Sequence, residues 1–116
     1  MKNIGFIGLG NMGYFMSKNL SLKDYIVNGY DINKDVFEKL KPFKINQISS
    51  LNKISYDNEV IITMLPNGSI VEEIWYKILQ DASPNTMLVD CSTIDIETSK
   101  KLHEMAKNKK MLSLDA

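Results

Sequence analysis

The chain has 116 residues, 44% hydrophobic and 24% charged, the composition of one ordinary globular domain. Fourteen lysines, with no arginine, balance fourteen acids, so the net charge gives no case for binding nucleic acid or an anionic membrane. A single cysteine, Cys91, excludes a disulfide framework or a thiol cluster for zinc and fits a reducing, intracellular compartment. No apolar run approaches the ~18 residues of a membrane span.

Ile4-Gly5-Phe6-Ile7 opens the chain with strand-like apolar density, and a strand is expected over Asn3–Gly8. A strand starting so early leaves no room for a signal or transit peptide, so the expected location is cytoplasmic. A mitochondrial matrix location would require a presequence already removed. Met12, Met16 and Leu20 recur every four residues, which predicts a helix over Met12–Leu20. Between the two lie Gly8, Gly10 and Gly13, spaced G-x-G-x-x-G. In a strand-to-helix turn each glycine has a reason. Gly8 permits the turn, Gly10 lets backbone approach a pyrophosphate, and Gly13 lets the helix pack against the strand. The helix-start amides, at the positive end of the dipole, would then hold phosphate without any lysine.

A second strand is expected over Tyr25–Tyr30 and ends at Asp31, 18 residues after Gly13. A carboxylate there can accept both adenosine ribose hydroxyls and repels a 2′-phosphate, which favours NAD over NADP. Its alternative role is to cap the next helix, Lys34–Leu40. A short strand over Ile45–Ile48 and a helix over Ser49–Tyr56 follow, in the part of the chain with the least apolar patterning. The strand Val60–Leu65 is stopped by Pro66, and the helix Ser69–Gln80 carries Ile70, Ile74, Ile78 and Leu79 on one face. The strand Met87–Cys91 leads into Ser92-Thr93-Ile94-Asp95. Ser92 and Thr93 there can bond a cofactor or cap the helix Asp95–Lys107, with Ser92 and Asp95 in capping-box spacing. That helix presents Thr98, Leu102, Met105 and Ala106, and a last strand is expected over Met111–Leu114. Continuously apolar strands alternating with helices predict an α/β fold, a doubly wound parallel sheet of about six strands in a single domain.

Other residues invite bland readings. His103 lies mid-helix and reads as a surface or packing residue. Cys91 has no base beside it and reads as a small buried residue. Most methionines fall at packing positions, and Trp75 with Tyr76 is expected to pack. The lysines of 107–110 suit a solvated helix end.

Three stretches carry a family resemblance. GFIGLGNMGYFMSKNL (Gly5–Leu20), ITMLP (Ile62–Pro66) and LVDCSTID (Leu88–Asp95) together resemble the β-hydroxyacid dehydrogenase family, nearest its 3-hydroxyisobutyrate branch. The closing SLDA resembles the start of that family's D-A-P-V-S-G-G substrate motif. The resemblance implies that Gly8, Leu9, Gly10, Asn11, Met12 and Gly13 wrap the pyrophosphate and that Asp31 holds the adenosine ribose. It further implies that Leu65 and Pro66 lie along the nicotinamide half, that Thr93 bonds near the nicotinamide, and that Asp115 and Ala116 open the substrate loop. In that family a later lysine acts as general acid/base, and a helical C-terminal domain closes the site and forms the oligomer. Neither falls within residues 1–116, so no catalytic residue and no metal ligand is assigned.

The expected parent is an NAD-dependent oxidoreductase converting a short 3-hydroxy acid, 3-hydroxyisobutyrate, to methylmalonate semialdehyde. Its expected partners are the small hydroxy acid and further copies of itself, with no nucleic acid and no membrane. This chain is expected to be the cofactor-binding portion, truncated before the helical domain and binding NAD without turnover. Apolar surface near the last strand is expected to favour self-association. The alternatives are an NADPH-dependent semialdehyde reductase and a non-catalytic dinucleotide-binding module.

Overall fold

The computed structural model describes residues 2–115. Its elements are β1 (Asn3–Ile7), α1 (Asn11–Ser21), β2 (Ile26–Tyr30), a short 3-10 helix (Lys34–Glu38), β3 (Ile45–Gln47) and α2 (Leu51–Asp57), followed by β4 (Val60–Thr63), α3 (Gly68–Asp81), β5 (Met87–Asp90), α4 (Ile96–Asn108) and β6 (Ser113–Asp115). The six strands form one sheet in the order β3-β2-β1-β4-β5-β6, every neighbouring pair parallel. The order reverses between β1 and β4. Open parallel sheets of this kind bind ligands outside the carboxyl ends of the strands at such a reversal.

Period-2 alternation sends Phe6 and Val27 to the face that α1 covers, where they pack with Leu9, Phe37 and Leu40. Ile7, Ile61 and Leu88 go to the other face and meet Ile54 of α2, Val71, Trp75 and Ile78 of α3, and Leu102 and Ala106 of α4. Burial of each such large apolar side chain contributes about 1.5–3 kcal/mol, so the double-sided sheet holds most of the stabilising area. The helical stretch expected over Lys34–Leu40 is a five-residue 3-10 helix instead. Only Phe37 inside it is buried, too little apolar periodicity for a full α-helix. On α3 the buried residues include Val71 and Trp75, while Tyr76 is 61% exposed, so the Trp75–Tyr76 pair splits between core and solvent. The last strand starts two residues later than expected. Lys110 turns the chain with φ 58° and Met111 plugs the core before Ser113 joins β5.

The β3–α2 unit is held by polar contacts. Asn28 of β2 donates to Asn58 Oδ1 at 2.9 Å and accepts from Asn46 of β3 at 3.0 Å, and Asn58 donates to the Ile54 carbonyl at 2.8 Å. Amide side chains in mutual contact satisfy one another where apolar residues would otherwise be expected. Leu112 and Leu114 are 74% and 55% exposed, which is the apolar surface expected near the last strand.

The α-helices after α1 start on side-chain caps: Ser50 for α2, Asn67 for α3 and Asp95 for α4. Asp95 Oδ1 accepts the Thr98 amide at 2.7 Å, and that backbone bond, reinforced by the Thr98 side chain, holds the Asp95 carboxyl below the ordinary carboxylate range. A lowered folded value means the contribution is complete above the unfolded pKa of about 4 and is lost as pH falls through the folded value. Asp95→Asn keeps a cap of similar quality without the charge. It is therefore expected to flatten the fall in melting temperature below about pH 4, measured by circular dichroism against the parent.

Candidate functional site

The turn between β1 and α1 builds one wall of a cavity at the strand-order reversal. Gly8 adopts φ 98°, and a Cβ there would run into the Met64 carbonyl oxygen. Its amide extends the ladder to the Tyr30 carbonyl at 3.0 Å. Gly13 faces the Gly8 carbonyl so closely that a Cβ would collide with that oxygen. These two glycines are therefore required by the fold itself. Gly10 differs. A Cβ placed on it meets nothing within 4 Å, and its backbone, φ −72° and ψ −150°, carries no left-handed strain.

Gly10 is also the N-cap of α1, and it supplies no side-chain cap. The first turn of α1 carries no acid. The amides of Asn11, Met12 and Gly13 are those a helix leaves without an internal acceptor, and the positive end of the dipole lies there. They open toward a cavity of about 380 Å³ whose wall includes Gly8, Gly10, Asn11, Met12 and Gly13. The opposite wall is Met64, Leu65 and Pro66 with Ile70 and Ile74 of α3, and the rim at the end of β2 is Tyr30, Asp31 and Ile32. The volume is within the ~300–1,000 Å³ of small-molecule sites, and the apolar lining with a few convergent polar groups has their character. Met12 is 58% exposed, so it belongs to the cavity mouth and not, as its helical spacing suggested, to the core.

Asp31 connects the two lobes of this rim. Its Oδ2 accepts the Leu9 amide at 2.8 Å and its Oδ1 the Asn33 amide at 2.8 Å. The cap of the following 3-10 helix is Asn33, so the capping alternative for Asp31 does not hold. A carboxylate has about four lone-pair sites, so two backbone donors still leave room for two hydroxyls. Leu9 departs from its expected place. Its side chain is buried in the core beside Phe37 and its amide is taken by Asp31, leaving Gly10 as the first amide without a partner among the described residues.

Of the other expected residues, Leu65 and Pro66 line the cavity, whereas Thr93 is exposed and outside its wall. Asp115 is exposed and accepts a hydrogen bond from Ser99 at 2.9 Å; Ala116 lies outside the described residues. Ser92 is not the helix cap that its spacing suggested. Asp95 has that role, and the Ser92 hydroxyl instead accepts the Leu65 amide at 2.7 Å. The spacing fitted both residues, and a single sequence does not rank them. Cys91 is half-buried and not the buried residue expected; burial, helped by Asp90 and Asp115, pushes its thiol up from the ordinary value. His103 Nδ1 and Ser113 Oγ are hydrogen-bonded at 2.6 Å, joining α4 to β6, and neither residue lines the cavity. Among the described residues no group of three or more His, Cys, Asp or Glu side chains could hold a metal, and no helix is long and apolar enough to cross a membrane.

Residues 3–116 match the NAD binding domain of 6-phosphogluconate dehydrogenase. The chain belongs to that family. Within it, a probable 3-hydroxyisobutyrate dehydrogenase of Mycobacterium tuberculosis is 34% identical over 116 residues, covering 100% of this chain and 40% of the relative. An NAD-dependent L-serine dehydrogenase of Pseudomonas aeruginosa is 32% identical over 119 residues, again with 40% of the relative covered. The solved structure of Mycobacterium tuberculosis 3-hydroxyisobutyrate dehydrogenase with L-serine superposes on the whole chain with a TM-score of 0.92. The chain is thus an NAD-binding domain of the kind found in 3-hydroxyisobutyrate dehydrogenase-like oxidoreductases, and the β-hydroxyacid dehydrogenase resemblance of the sequence is borne out. The chain spans about 40% of the length of these curated relatives.

Proposed function

We propose that this chain binds NAD in the crevice between the carboxyl ends of β1 and β4, as the cofactor-binding portion of a dehydrogenase that oxidises a short 3-hydroxy acid. The observation that carries the reading is the uncapped, acid-free start of α1 at Gly10, opening on a cavity that Asp31 rims. The amides from Gly10 to Gly13 hold the pyrophosphate, Asn11 and Met12 flank it, and Asp31 accepts the adenosine ribose hydroxyls. Leu9 contributes by fixing Asp31 and not by touching phosphate. Leu65 and Pro66 carry the dinucleotide toward the nicotinamide end; Thr93, exposed and outside the cavity wall, is assigned to that end on the family resemblance alone. When bound, NAD accepts hydride from the alcohol carbon. Within residues 1–116 no residue is assigned to take the hydroxyl proton, so the isolated chain binds without turnover.

3-Hydroxyisobutyrate is the substrate this reading favours, yielding methylmalonate semialdehyde. L-Serine is itself a short 3-hydroxy acid, so the two kinds of relative fall within one substrate class. Domain 1–116 is then followed, in the parent enzyme, by the part that supplies substrate contacts and the oligomer. NADPH-dependent semialdehyde reduction is the second reading. Lys34 supports it, being exposed and sharing a hollow of about 120 Å³ with Asp31. Thermal melts with NAD and NADP decide between them. A ligand at about 100 times its Kd stabilises by roughly 2.7 kcal/mol, a rise of about ten degrees for a domain this size. NAD is expected to give that rise at lower concentration than NADP. A larger rise with NADP supports the reductase, and none with either at millimolar concentration overturns both.

A further inference from the structure

A buried polar chain runs from the core of α3 to the cavity wall. Trp75 Nε1 donates to Thr63 Oγ1 at 3.1 Å, and Thr63 Oγ1 donates to Asp90 Oδ1 at 2.8 Å. The same Asp90 oxygen accepts the Ser92 amide at 3.3 Å, and Ser92 Oγ accepts the Leu65 amide at 2.7 Å. Thr63, Trp75, Asp90 and Ser92 are all buried, Ser92 to 6% exposure. Asp90 Oδ2 has no partner among the described residues, so the carboxylate is oriented through Oδ1 alone.

Leu65 lies two residues beyond the end of β4, where the sheet no longer dictates its position. Backbone bonds hold its neighbours: the Met64 amide reaches the Ile7 carbonyl at 2.9 Å, and the Cys91 amide reaches the Thr63 carbonyl at 2.8 Å. The next bond in the series is made by a side chain, that of Ser92. Without it, the Leu65 amide turns free just where the chain leaves the sheet for Pro66. The Met64–Pro66 turn forms the wall opposite Gly10, so its distance from α1 sets the width of the crevice.

We propose that Ser92 is a positioning residue: its hydroxyl clamps the Leu65 amide, and Asp90, Thr63 and Trp75 hold Ser92 in place, so that the Met64–Pro66 wall stands at the distance a dinucleotide requires. This rests on the NAD-binding reading for the ligand, but the clamp itself is visible without any ligand. Ser92 does not line the cavity, so it acts through Leu65. The effect is a change in affinity larger than its effect on stability explains. Loss of one such hydrogen bond is worth on the order of tenfold in binding if the wall relaxes.

The test uses three variants of this chain. Ser92→Ala removes the acceptor, Ser92→Thr restores a hydroxyl, and Thr86→Ala removes a buried hydroxyl at the far end of β5, where it donates to the Asn58 carbonyl at 3.0 Å. Amide hydrogen exchange without ligand reads the clamp: Leu65 is expected to be protected in the parent and Ser92→Thr, and to exchange faster in Ser92→Ala. Calorimetric titration with NAD then reads the wall. Ser92→Ala is expected to raise the Kd about tenfold, Ser92→Thr to recover most of it, and Thr86→Ala to lower the melting temperature without moving the Kd. Unchanged Leu65 exchange in Ser92→Ala overturns the clamp. Faster exchange with an unchanged Kd, or an equal Kd rise in Thr86→Ala, overturns the positioning role. If the parent itself takes up no NAD, the function reading fails, and the clamp stands or falls on the exchange data alone.

Discussion

Gly13→Ala is expected to remove most of the stability of the native fold. The methyl group would collide with the Gly8 carbonyl oxygen, sit 2.9 Å from its carbon and press within 3.3 Å of Phe6 Cε1. None of these can yield cheaply. The Gly8 carbonyl belongs to a residue fixed by φ 98° and by its bond to Tyr30, and Phe6 is fully buried. Relief requires α1 to back away from β1, which opens the Phe6–Val27–Phe37 cluster. Overpacking of a core costs about 1–3 kcal/mol when side chains can move, and a backbone clash exceeds that. Against a total stability of about 5–15 kcal/mol the loss removes most of the margin. Circular dichroism in a urea series is the measurement. A midpoint close to the parent's would show that α1 slides on the sheet more freely than this packing allows.

Asp31→Ala is expected to carry the second largest effect, on two readouts at once. Removing the carboxylate leaves the Leu9 and Asn33 amides without their acceptors, which costs roughly 1–3 kcal/mol of stability where the group is partly buried. It also removes the acceptor proposed for the ribose. Two hydrogen bonds to a charged group, each about 1.5–3 kcal/mol, would raise the Kd for NAD by about 100-fold or more. Repulsion of a 2′-phosphate disappears as well, so NADP should lose less affinity than NAD, and the ratio of the two Kd values should shift toward NADP. Titration of both dinucleotides into parent and variant checks this. An equal loss for both would place Asp31 in the turn's architecture alone, with no ribose contact.

The centre of the sheet was legible because β1, β4 and β5 are nearly continuous apolar runs, which parallel strands covered on both faces need. The α1 unit was legible for a sharper reason: Gly8 and Gly13 are demanded by sterics that any strand-to-helix turn of this shape imposes. The β3–α2 unit was the faintest, since Asn28, Asn46 and Asn58 replace apolar packing with a hydrogen-bonded set that has no period to detect. Within the site, sequence marked Asp31 and the glycines but could not tell side chain from backbone. Leu9 sits inside the fingerprint, yet its side chain serves the core and its amide serves Asp31. Ser92 was visible as a polar residue at a strand end. Its partner, the Leu65 amide, is 27 residues away and carries no signal in the amino-acid type.

Gly10 is the residue at which fold and function separate. The folded chain leaves open space where its Cβ would be, so only a ligand has reason to require glycine there. Gly10→Ala exchanges a fair N-cap for a poor one, a cost of about 1 kcal/mol and a few degrees in melting temperature. The decisive measurement is calorimetric titration of NAD into the parent chain and into Gly10→Ala, with both melting temperatures recorded. A single site on the parent, weakened tenfold or more in a variant that remains folded, is the predicted result. Equal binding by the two proteins, or none by the parent at millimolar NAD, would contradict the account.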